Sequence, residues 1–447
     1  MPGLSLTLET AKSTLLNTQV QIQVNSHNIA NAENKSYARQ KAILGTSPAN
    51  LTHAGWIGTG ATIETIVQMR DAYIEQKLMN SMSAESHQNT LATQLSIALA
   101  GFSDSGETGI SQALGAFWDS WDALLQDPED IAAREGVYLA SRNLSQNIRT
   151  TYADLDVLVN SQISEEIQET IDKANSLLDR IANLNHQIQQ NESPGHYAND
   201  LRDSRYQALK ELAEIMPIQY GEEANGSVTV RYSNGTVSVT LVSGPQASPS
   251  PLHYDTVSEE VTLTSFDGGT SAAEESVQGG ILGGLTAARE DIQAYMDRLN
   301  AFAGTLIDEV NGAYGSPVFT GSDARDVDIS PDFLDGPTAA ELSERALQIS
   351  NLQEKKVSFG TGGVDARFID FLGGIQSRMG GDLQEAETQA EFYATLRTEL
   401  DGQQQSISGV SLDEEMVDLL KHQQIYQAAA KIIQQTLEML NRILDIR

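Results

Sequence analysis

Residues 412–444, LDEEMVDLLKHQQIYQAAAKIIQQTLEMLNRIL, carry a repeat with alternating steps of four and three positions at the C-terminal end of the chain. The repeat runs through Leu412, Met416, Leu419, Gln423, Tyr426, Ala430, Ile433, Leu437, Leu440 and Leu444. This spacing is typical of the heptad of a coiled coil. It predicts a helix about 50 Å long with one narrow apolar stripe. Ser411 is a suitable N-cap for this helix. The acidic residues that follow it lie in the first turn, where the helix dipole favours negative charge.

The N-terminal end carries a second stripe of the same kind. Its positions are Leu4, Leu8, Ala11, Leu15, Thr18, Ile22, Asn25 and Ile29. They predict a helix about 40 Å long. A single stripe would be typical of an ordinary amphipathic helix on a globular core. Two stripes at opposite ends of one chain can instead bury their apolar residues against each other or against neighbouring subunits.

The middle of the chain contains a predicted helical hairpin. Apolar residues repeat over 148–188, with one extra four-residue step between Val159 and Ile163. A stutter of this kind unwinds a coiled coil locally. The sequence Ser-Pro-Gly at 193–195 ends this helix, and a second helix is predicted over 201–216.

A β segment is predicted at about 217–270, between helical parts of the chain. Apolar and polar residues alternate over 228–232 and over 237–241, and Asn234-Gly235 between them is a strong signal for a hairpin turn. Further strand residues are expected at 261–263. Because this segment carries its own hairpin, we expect the helical body to fold without it.

We therefore predict a mainly α protein with a small inserted β domain, long coiled-coil-like terminal helices and a helical bundle in the middle. After the glycines within 279–284, helices are expected over 285–310 and 368–407. The predicted division is an N-terminal axial segment at 1–60, a helical domain in two halves at 61–216 and 271–405, the β domain at 217–270 and a C-terminal axial helix at 406–447.

Composition excludes several classes of function. The 447 residues include 61 Asp and Glu against 28 Lys and Arg, for a net charge of −33. This acidic excess repels phosphate groups and anionic lipid, so we expect neither nucleic acid nor membrane as a partner. The chain has no cysteine, which excludes disulfides, thiolate metal ligands and Cys nucleophiles. No signal-peptide core and no run of ~18 apolar residues is present, so neither a cleaved signal nor a membrane span is predicted.

No arrangement of residues indicates catalysis. The seven histidines are scattered without a metal-binding spacing. Asp323, Asp326 and Asp328 form a cluster that could suggest calcium, although the glycine and distal glutamate of an EF-hand are absent. The glycine turns at 58–60 and 360–363 lack the preceding strand and following helix of a phosphate-binding loop. We expect no enzymatic activity, no metal and no cofactor.

Two motifs carry a family resemblance. Residues 28–40, NIANAENKSYARQ, resemble the N-I-A-N-A-N-T-P-G-Y-x-R-Q signature of the rod, hook and hook-associated axial proteins of bacterial flagella. The chain has Asn-Lys-Ser at 34–36 where that family has Thr-Pro-Gly, and Asn34 can form an Asx turn there. Residues 408–416, SGVSLDEEM, with 423–433, QQIYQAAAKII, resemble the C-terminal signature of the same family, in the form found at the hook-filament junction.

The resemblance implies a structural subunit that assembles through its paired terminal helices. Its expected partners are further copies of itself in a ring, the hook subunit, a second junction protein on the filament side and an export chaperone for the C-terminal helix. Members of this family are exported by the flagellar type III apparatus without a cleaved signal, so we expect the protein in the extracellular flagellum. The alternative is a coiled-coil adaptor, or another exported axial or tip protein of the hook or distal-rod type. The residues expected at the assembly interface are Leu4, Leu8, Leu15, Ile22, Asn28, Ile29, Asn31, Tyr37, Arg39, Leu412, Met416, Leu419, Tyr426, Ile433, Leu437, Leu440 and Leu444.

Overall fold

The chain begins and ends in long helices, and a helical body with a β segment lies between them. The computed structural model describes residues 2–52, 55–102, 109–235, 238–247, 252–255, 260–263, 277–360, 363 and 365–445. The mainly α fold with a small amount of β structure is confirmed.

A β-hairpin arm follows the first helix. The elements of this part are α1 (Pro2–Ala30), β1 (Gln40–Thr46), β2 (Asn50–Thr52), β3 (Gly55–Ile57), β4 (Ala61–Gln68) and α2 (Ala72–Phe102). β1 pairs with β4 in antiparallel fashion, and β2 pairs with β3 further along, so residues 40–68 form one arm. The sequence did not predict this arm. The predicted boundary at residue 60 falls between the paired strands β1 and β4.

The predicted helical hairpin is confirmed. The helices of this part are α3 (Ile110–Gln126), α4 (Ile131–Val157), a π-helix (Leu158–Ile163), α5 (Ser164–Asn191) and α6 (Asn199–Ile215). The hairpin is formed by the continuous helix that ends in α5 and by α6. The π-helix occupies the predicted stutter, because one extra residue in a helical turn widens the turn locally. The Ser164 hydroxyl bonds to the Val159 carbonyl 3.2 Å away, which satisfies an acceptor inside the widened turn.

The β segment forms a four-stranded sheet and a separate hairpin. The sheet has the order β5 (Ile218–Glu222), β6 (Val228–Ser233), β7 (Ser238–Ser243) and β8 (Gln246–Ala247), and the hairpin consists of β9 (Leu252–Asp255) and β10 (Glu260–Leu263). β6 and β7 are the predicted hairpin, with Tyr232 opposite Val239. Val237, Gly268, Gly269 and the predicted boundary at 270 lie outside the described residues.

The β segment shares its hydrophobic core with the helices. Buried Tyr232 and Leu241 belong to the same cluster as Ile181 of α5. The Asn185 amide on α5 also donates to the Val228 carbonyl at 2.9 Å and accepts from the Val228 amide at 3.1 Å. Removing the β segment would therefore expose apolar surface and leave the buried side-chain nitrogen of Asn185 without its acceptors. The shared core argues against the expectation that the helical body folds without this segment.

A closely packed helix follows the β segment. The remaining elements are α7 (Gly280–Tyr314), β11 (Phe319–Thr320), β12 (Asp328–Ile329), α8 (Ala339–Leu352), β13 (Val357–Ser358), β14 (Asp365–Ala366), α9 (Phe368–Ser408) and α10 (Leu412–Asp445). α7 begins at Gly280 rather than at the predicted residue 285. Gly283 and Gly284 lie where α7 crosses α2. A Cβ atom on Gly284 would lie 2.6 Å from the His87 carbonyl oxygen of α2.

Aromatic residues fill the far end of the helical body. Trp118 and Trp121 of α3 are buried, with ring centroids 6.0 Å from Phe368 and 5.7 Å from Tyr314 respectively. α2 and α9 run antiparallel along the body, with the Ser81 hydroxyl bonded to the Tyr393 carbonyl. We call the two ends of the arm, at residues 39–40 and 68–70, the arm root. The starts of α2 and of α10 both lie near it, since Arg70 pairs with Glu75 of α2 and the Arg39 amide donates to the Ser408 carbonyl just before α10. The helical body is joined to the terminal helices there.

Candidate assembly interface

The two sequence motifs meet where the terminal helices pair. α1 and α10 pack against each other, and the last turns of α1 lie beside the first turn of α10, so the two helices are antiparallel. The Asn25 amide donates to the Glu415 carbonyl at 3.3 Å, and the Arg39 amide donates to the Ser408 carbonyl at 2.8 Å. The two ends of the chain thus pair with each other within one chain.

Asn28 is the central residue of this junction. Its side-chain oxygen accepts from the Tyr37 hydroxyl at 2.7 Å and from the Gln40 amide at 3.0 Å. Its side-chain nitrogen donates to the Gln40 carbonyl at 3.0 Å and to a Glu415 carboxylate oxygen at 3.1 Å. These bonds use the full hydrogen-bonding capacity of a side-chain amide, in a residue that is 1% exposed. Another side chain would leave buried partners unsatisfied.

Glu415 is held by an ion pair with the first motif. Its carboxylate lies 2.7 Å from the Arg39 Nε atom, and its side chain is only 2% exposed. The same guanidinium reaches Glu414 at 2.9 Å, where the acidic side chain is 65% exposed. We call Asn28, Arg39 and Glu415 the polar clamp. The sequence analysis missed Glu415, because the search followed apolar positions while this buried position is acidic.

The turn between α1 and the arm is built by Asn34 as predicted. Its side-chain oxygen accepts from the Ser36 amide at 3.1 Å, which closes an Asx turn in place of Pro-Gly. Asn31 donates to the His27 carbonyl at 2.9 Å and stays half-buried. Tyr37 is buried, and burial together with the Asp203, Asp200 and Glu415 carboxylates raises the pKa of its hydroxyl. Its hydroxyl therefore remains a proton donor to Asn28.

A second ionic cluster joins the arm root to the helical body. The Arg70 guanidinium lies 2.6 Å from both Glu75 of α2 and Asp203 of α6, and stacks 4.0 Å above the Tyr206 ring. Tyr220 of β5 donates to Glu75 at 2.7 Å. Burial raises the pKa of Asp203, and Arg70 opposes this rise. Three elements, α2, α6 and β5, are thus tied to Arg70 beside the polar clamp.

The structure places the predicted stripe of α1 along α10. Leu4, Leu8, Leu15, Ile22 and Ile29 are half-buried. The positions between them are smaller or polar, and the most buried of these are Ala11, Thr18 and Asn25. The stripe of α1 is therefore the face that α10 covers.

The face of α10 that lies against α1 is displaced by about one position from the predicted stripe. Its most buried residues recur every seven positions at Glu415, Ala429 and Thr436, with His422 half-buried between them. Leu419, Ile433 and Leu440 lie at the edge of this face and are half-buried. Polar and small residues occupy the contact because α1 presents equally small residues there.

The remaining apolar residues of α10 stay exposed. Predicted interface residues Leu412, Met416, Tyr426 and Leu437 are 37–56% exposed, and the side chain of Leu444 lies outside the described residues. On the other edge of the contact face, Ile425, Ile432 and Met439 are 36–47% exposed. We call these two rows the α10 flanks. Among the described residues, no helix combines the length and hydropathy needed to cross a bilayer.

Comparison with known families gives two matches. The family described as the flagellar hook-associated protein FlgK helical domain matches residues 100–328, slightly more than half of the chain. The chain belongs to the FlgK family of flagellar hook-associated proteins. A second family, the C-terminal part of the flagellar basal body rod FlgEFG proteins, matches residues 403–446 and covers the end of α9 with α10. The predicted family resemblance is confirmed.

Relatives of this FlgK-family chain align over nearly the whole length. Flagellar hook-associated protein 1 of Bacillus subtilis is 24% identical and covers 98% of this chain and 97% of its own. The protein of the same name in Salmonella typhimurium is also 24% identical, over 98% of this chain and 99% of its own. The flagellar hook junction protein FlgK of Burkholderia pseudomallei matches with a TM-score of 0.45 and 21% identity, over 55% of this chain and 46% of that one.

The aspartates of this cluster in the FlgK-family chain bind groups of their own loop and of α4. Asp323 is bound by Arg325 at 3.0 Å, and Asp328 pairs with Arg149 at 2.9 Å. Asp326 accepts from the Ser322 amide at 2.7 Å, and such backbone bonds lower its pKa. Within the part of the chain that the structure describes, no group of three or more His, Asp or Glu side chains is placed to hold a metal ion.

Proposed function

We propose that this chain is a structural subunit at the joint between flagellar hook and filament, and that it assembles through the α1/α10 pair. The observation that carries the proposal is the exposed pair of α10 flanks beside a pairing face that α1 already covers. An isolated chain leaves these flanks in water, whereas neighbouring copies would bury them. The names of its relatives as flagellar hook-associated proteins agree with this role.

The polar clamp gives the pair the rigidity that a subunit of a ring needs. Asn28 and Glu415 form directional bonds that set the register of α1 against α10 and the position of the arm root. A single buried polar pair fixes register in coiled coils in the same manner. The flanks are thereby presented at fixed positions, so each copy offers neighbours the same surface.

The division of the chain follows from these contacts. We propose an axial unit formed by residues 1–70 and 406–447, and a helical body formed by the two halves around the β segment. The β segment of 217–270 lies on the body, where β7, β8 and β9 pack against α5. In a ring with the axial unit innermost, the body and the β segment face outward.

The partners that we propose rest on family membership and on a position at the joint. Membership of the family implies assembly with other flagellar components in the extracellular flagellum. We propose the hook subunit on one side and a second junction protein on the filament side. Export through the type III apparatus without a cleaved signal would bring the chain there. An export chaperone would cover the apolar flanks of α10 until export, because such flanks promote aggregation.

Deletion of the gene, with complementation, tests this proposal. We expect cells with intact hooks and no filament, with flagellin lost to the medium, and full recovery on expression of the native chain. Purified hooks from the complemented strain should contain the chain on immunoblots. Normal filaments in the deletion strain would contradict the role at the joint and would favour an adaptor that binds unlike partners.

A further inference from the structure

The end of the hairpin arm is an exposed apolar surface. Leu51 of β2 pairs with Trp56 of β3, and their side chains are 69% and 73% exposed, while Ile57 is 41% exposed. We call these three residues the arm tip. Residues 42–63 contain no Asp, Glu, Lys or Arg in a chain that has 89 of them in total, 61 acidic and 28 basic. The tip is suited to contact another protein surface without charge repulsion.

The arm runs back along α1, away from the helical body. Its root is held at Asn28, where Gln40 is bonded. Further out, the Ala61 carbonyl accepts from the Ser13 hydroxyl at 2.8 Å and from Asn17. Asn28 and Ser13 are separated by roughly 20 Å along the helix axis. The arm tip lies beyond Ala61 and is therefore at the far end of the axial unit.

An exposed apolar groove lies at the opposite end, near the arm root. It runs between the first turns of α2 and the last third of α9, has a volume of about 580 Å³ and is lined by Tyr73, Ile74, Tyr393, Leu396 and Leu400. Tyr73 is 67% exposed, and Phe392 beside the groove is 63% exposed. Lys77 and Glu399 are the charged residues among those that line it.

We propose that the arm tip of one copy docks into the α2/α9 groove of a second copy. The tip lies along α1 beyond Ala61, whereas the groove lies on the helical body near the arm root, so the two meet only between chains. Such a head-to-tail contact is heterologous and propagates along an assembly. Copies that each carry a charge of −33 repel one another, and a neutral tip in a nearly neutral groove minimises this repulsion. Trp56 is the anchor, since Trp is enriched among residues that dominate interfaces.

This inference rests on the proposed function, because it names a contact within the same assembly. The chain has no cysteine, so single cysteines can be introduced without background. The cysteine of the tip is placed at Gly58, which is exposed beside Ile57 and has open space around an added Cβ, so that the anchor Trp56 is kept. One strain would co-express a Gly58→Cys chain and a Phe392→Cys chain, each distinguished by a tag. A matched strain would co-express Gly58→Cys with Ile131→Cys, since Ile131 is also an exposed apolar residue, at 81%, but lies on the body away from the groove.

Mild oxidation of purified hooks, and of the concentrated purified chains, should give a mixed disulfide dimer for the first pair at least tenfold above the second. Trp56 fluorescence should also shift to the blue on assembly, since Trp118 and Trp121 are already buried. Dimers of Gly58→Cys with itself, or equal yields from both pairs, would overturn the inference while leaving the proposed function intact. If the chains were absent from hooks, the proposed function would fail, and the yields in solution would then decide the tip contact alone.

Discussion

Removal of the Glu415 carboxylate should loosen the pairing of α1 with α10. Glu415 is 2% exposed and binds Arg39 and Asn28, so Glu415→Ala leaves two donors without this partner. Breaking a buried ion pair costs about 3–5 kcal/mol. Arg39 keeps its contact with Glu414 and is 28% exposed, so we expect roughly 2–3 kcal/mol here. At about 1.4 kcal/mol per factor of ten, amides at the start of α10 should exchange roughly 30–140 times faster.

Hydrogen exchange of the full chain, followed by mass spectrometry, measures this effect. Glu414→Ala is the matched control, because Glu414 is also acidic and in the first turn of α10 but its side chain is 65% exposed. An exposed ion pair contributes ~1 kcal/mol or less, so the control should change exchange by less than about fivefold. Amides of α5 should be unaffected in both variants. Equal effects of the two substitutions on α10 would refute the clamp.

Three further predictions concern the rest of the fold. Tyr37→Phe removes a donor from buried Asn28 and should lower the free energy of unfolding by about 1–2 kcal/mol in urea titration; an unchanged midpoint would show that this bond is not formed. Gly284→Ala should destabilise by about 1–3 kcal/mol, because its Cβ would meet α2, whereas Gly374→Ala on open α9 surface should stabilise by about 0.5–1 kcal/mol. The reverse order of melting temperatures would refute the close crossing. Deletion of 220–268 should give an unfolded or aggregated chain, and a soluble, cooperatively melting product would show that the shared core is dispensable.

Periodic apolar residues made the long helices predictable. The terminal helices, the hairpin of α5 and α6, and the β6/β7 hairpin follow from spacing alone, since each pattern persists over many residues. The stutter at Val159 and Ile163 even predicted where the helix widens. The arm at 40–68 was not predictable in this way, because the apolar residues of its strands follow no clear alternation.

The contact face of α10 could not be read from apolar residues. Glu415 is buried because Arg39 and Asn28 bind its carboxylate, and Thr436 is buried against α1. The partners of Glu415 lie more than 370 positions away in the sequence. Local patterns carry no information about such pairs. The close crossing at Gly284 was missed for the same reason, since a glycine that accommodates a distant backbone resembles one in a linker.

The exposed flanks of α10 are the central claim, and one pair of substitutions tests it most directly. Ile432 is 43% exposed, so Ile432→Asp leaves the fold intact while placing a charge where a neighbouring copy would bury it, at a cost of several kcal/mol. Ile433, in contrast, is half-buried against α1, and its substitution would mix folding with assembly.

The measurement is the amount of the chain in purified hooks, by immunoblot, for Ile432→Asp and for Lys431→Asp, whose exposed charge lies beside it. Both variants should melt like the native chain. We predict that Lys431→Asp is incorporated at native levels and that Ile432→Asp is absent from hooks, with flagellin lost to the medium. Equal incorporation of the two variants would contradict the assignment of the α10 flanks as the assembly surface.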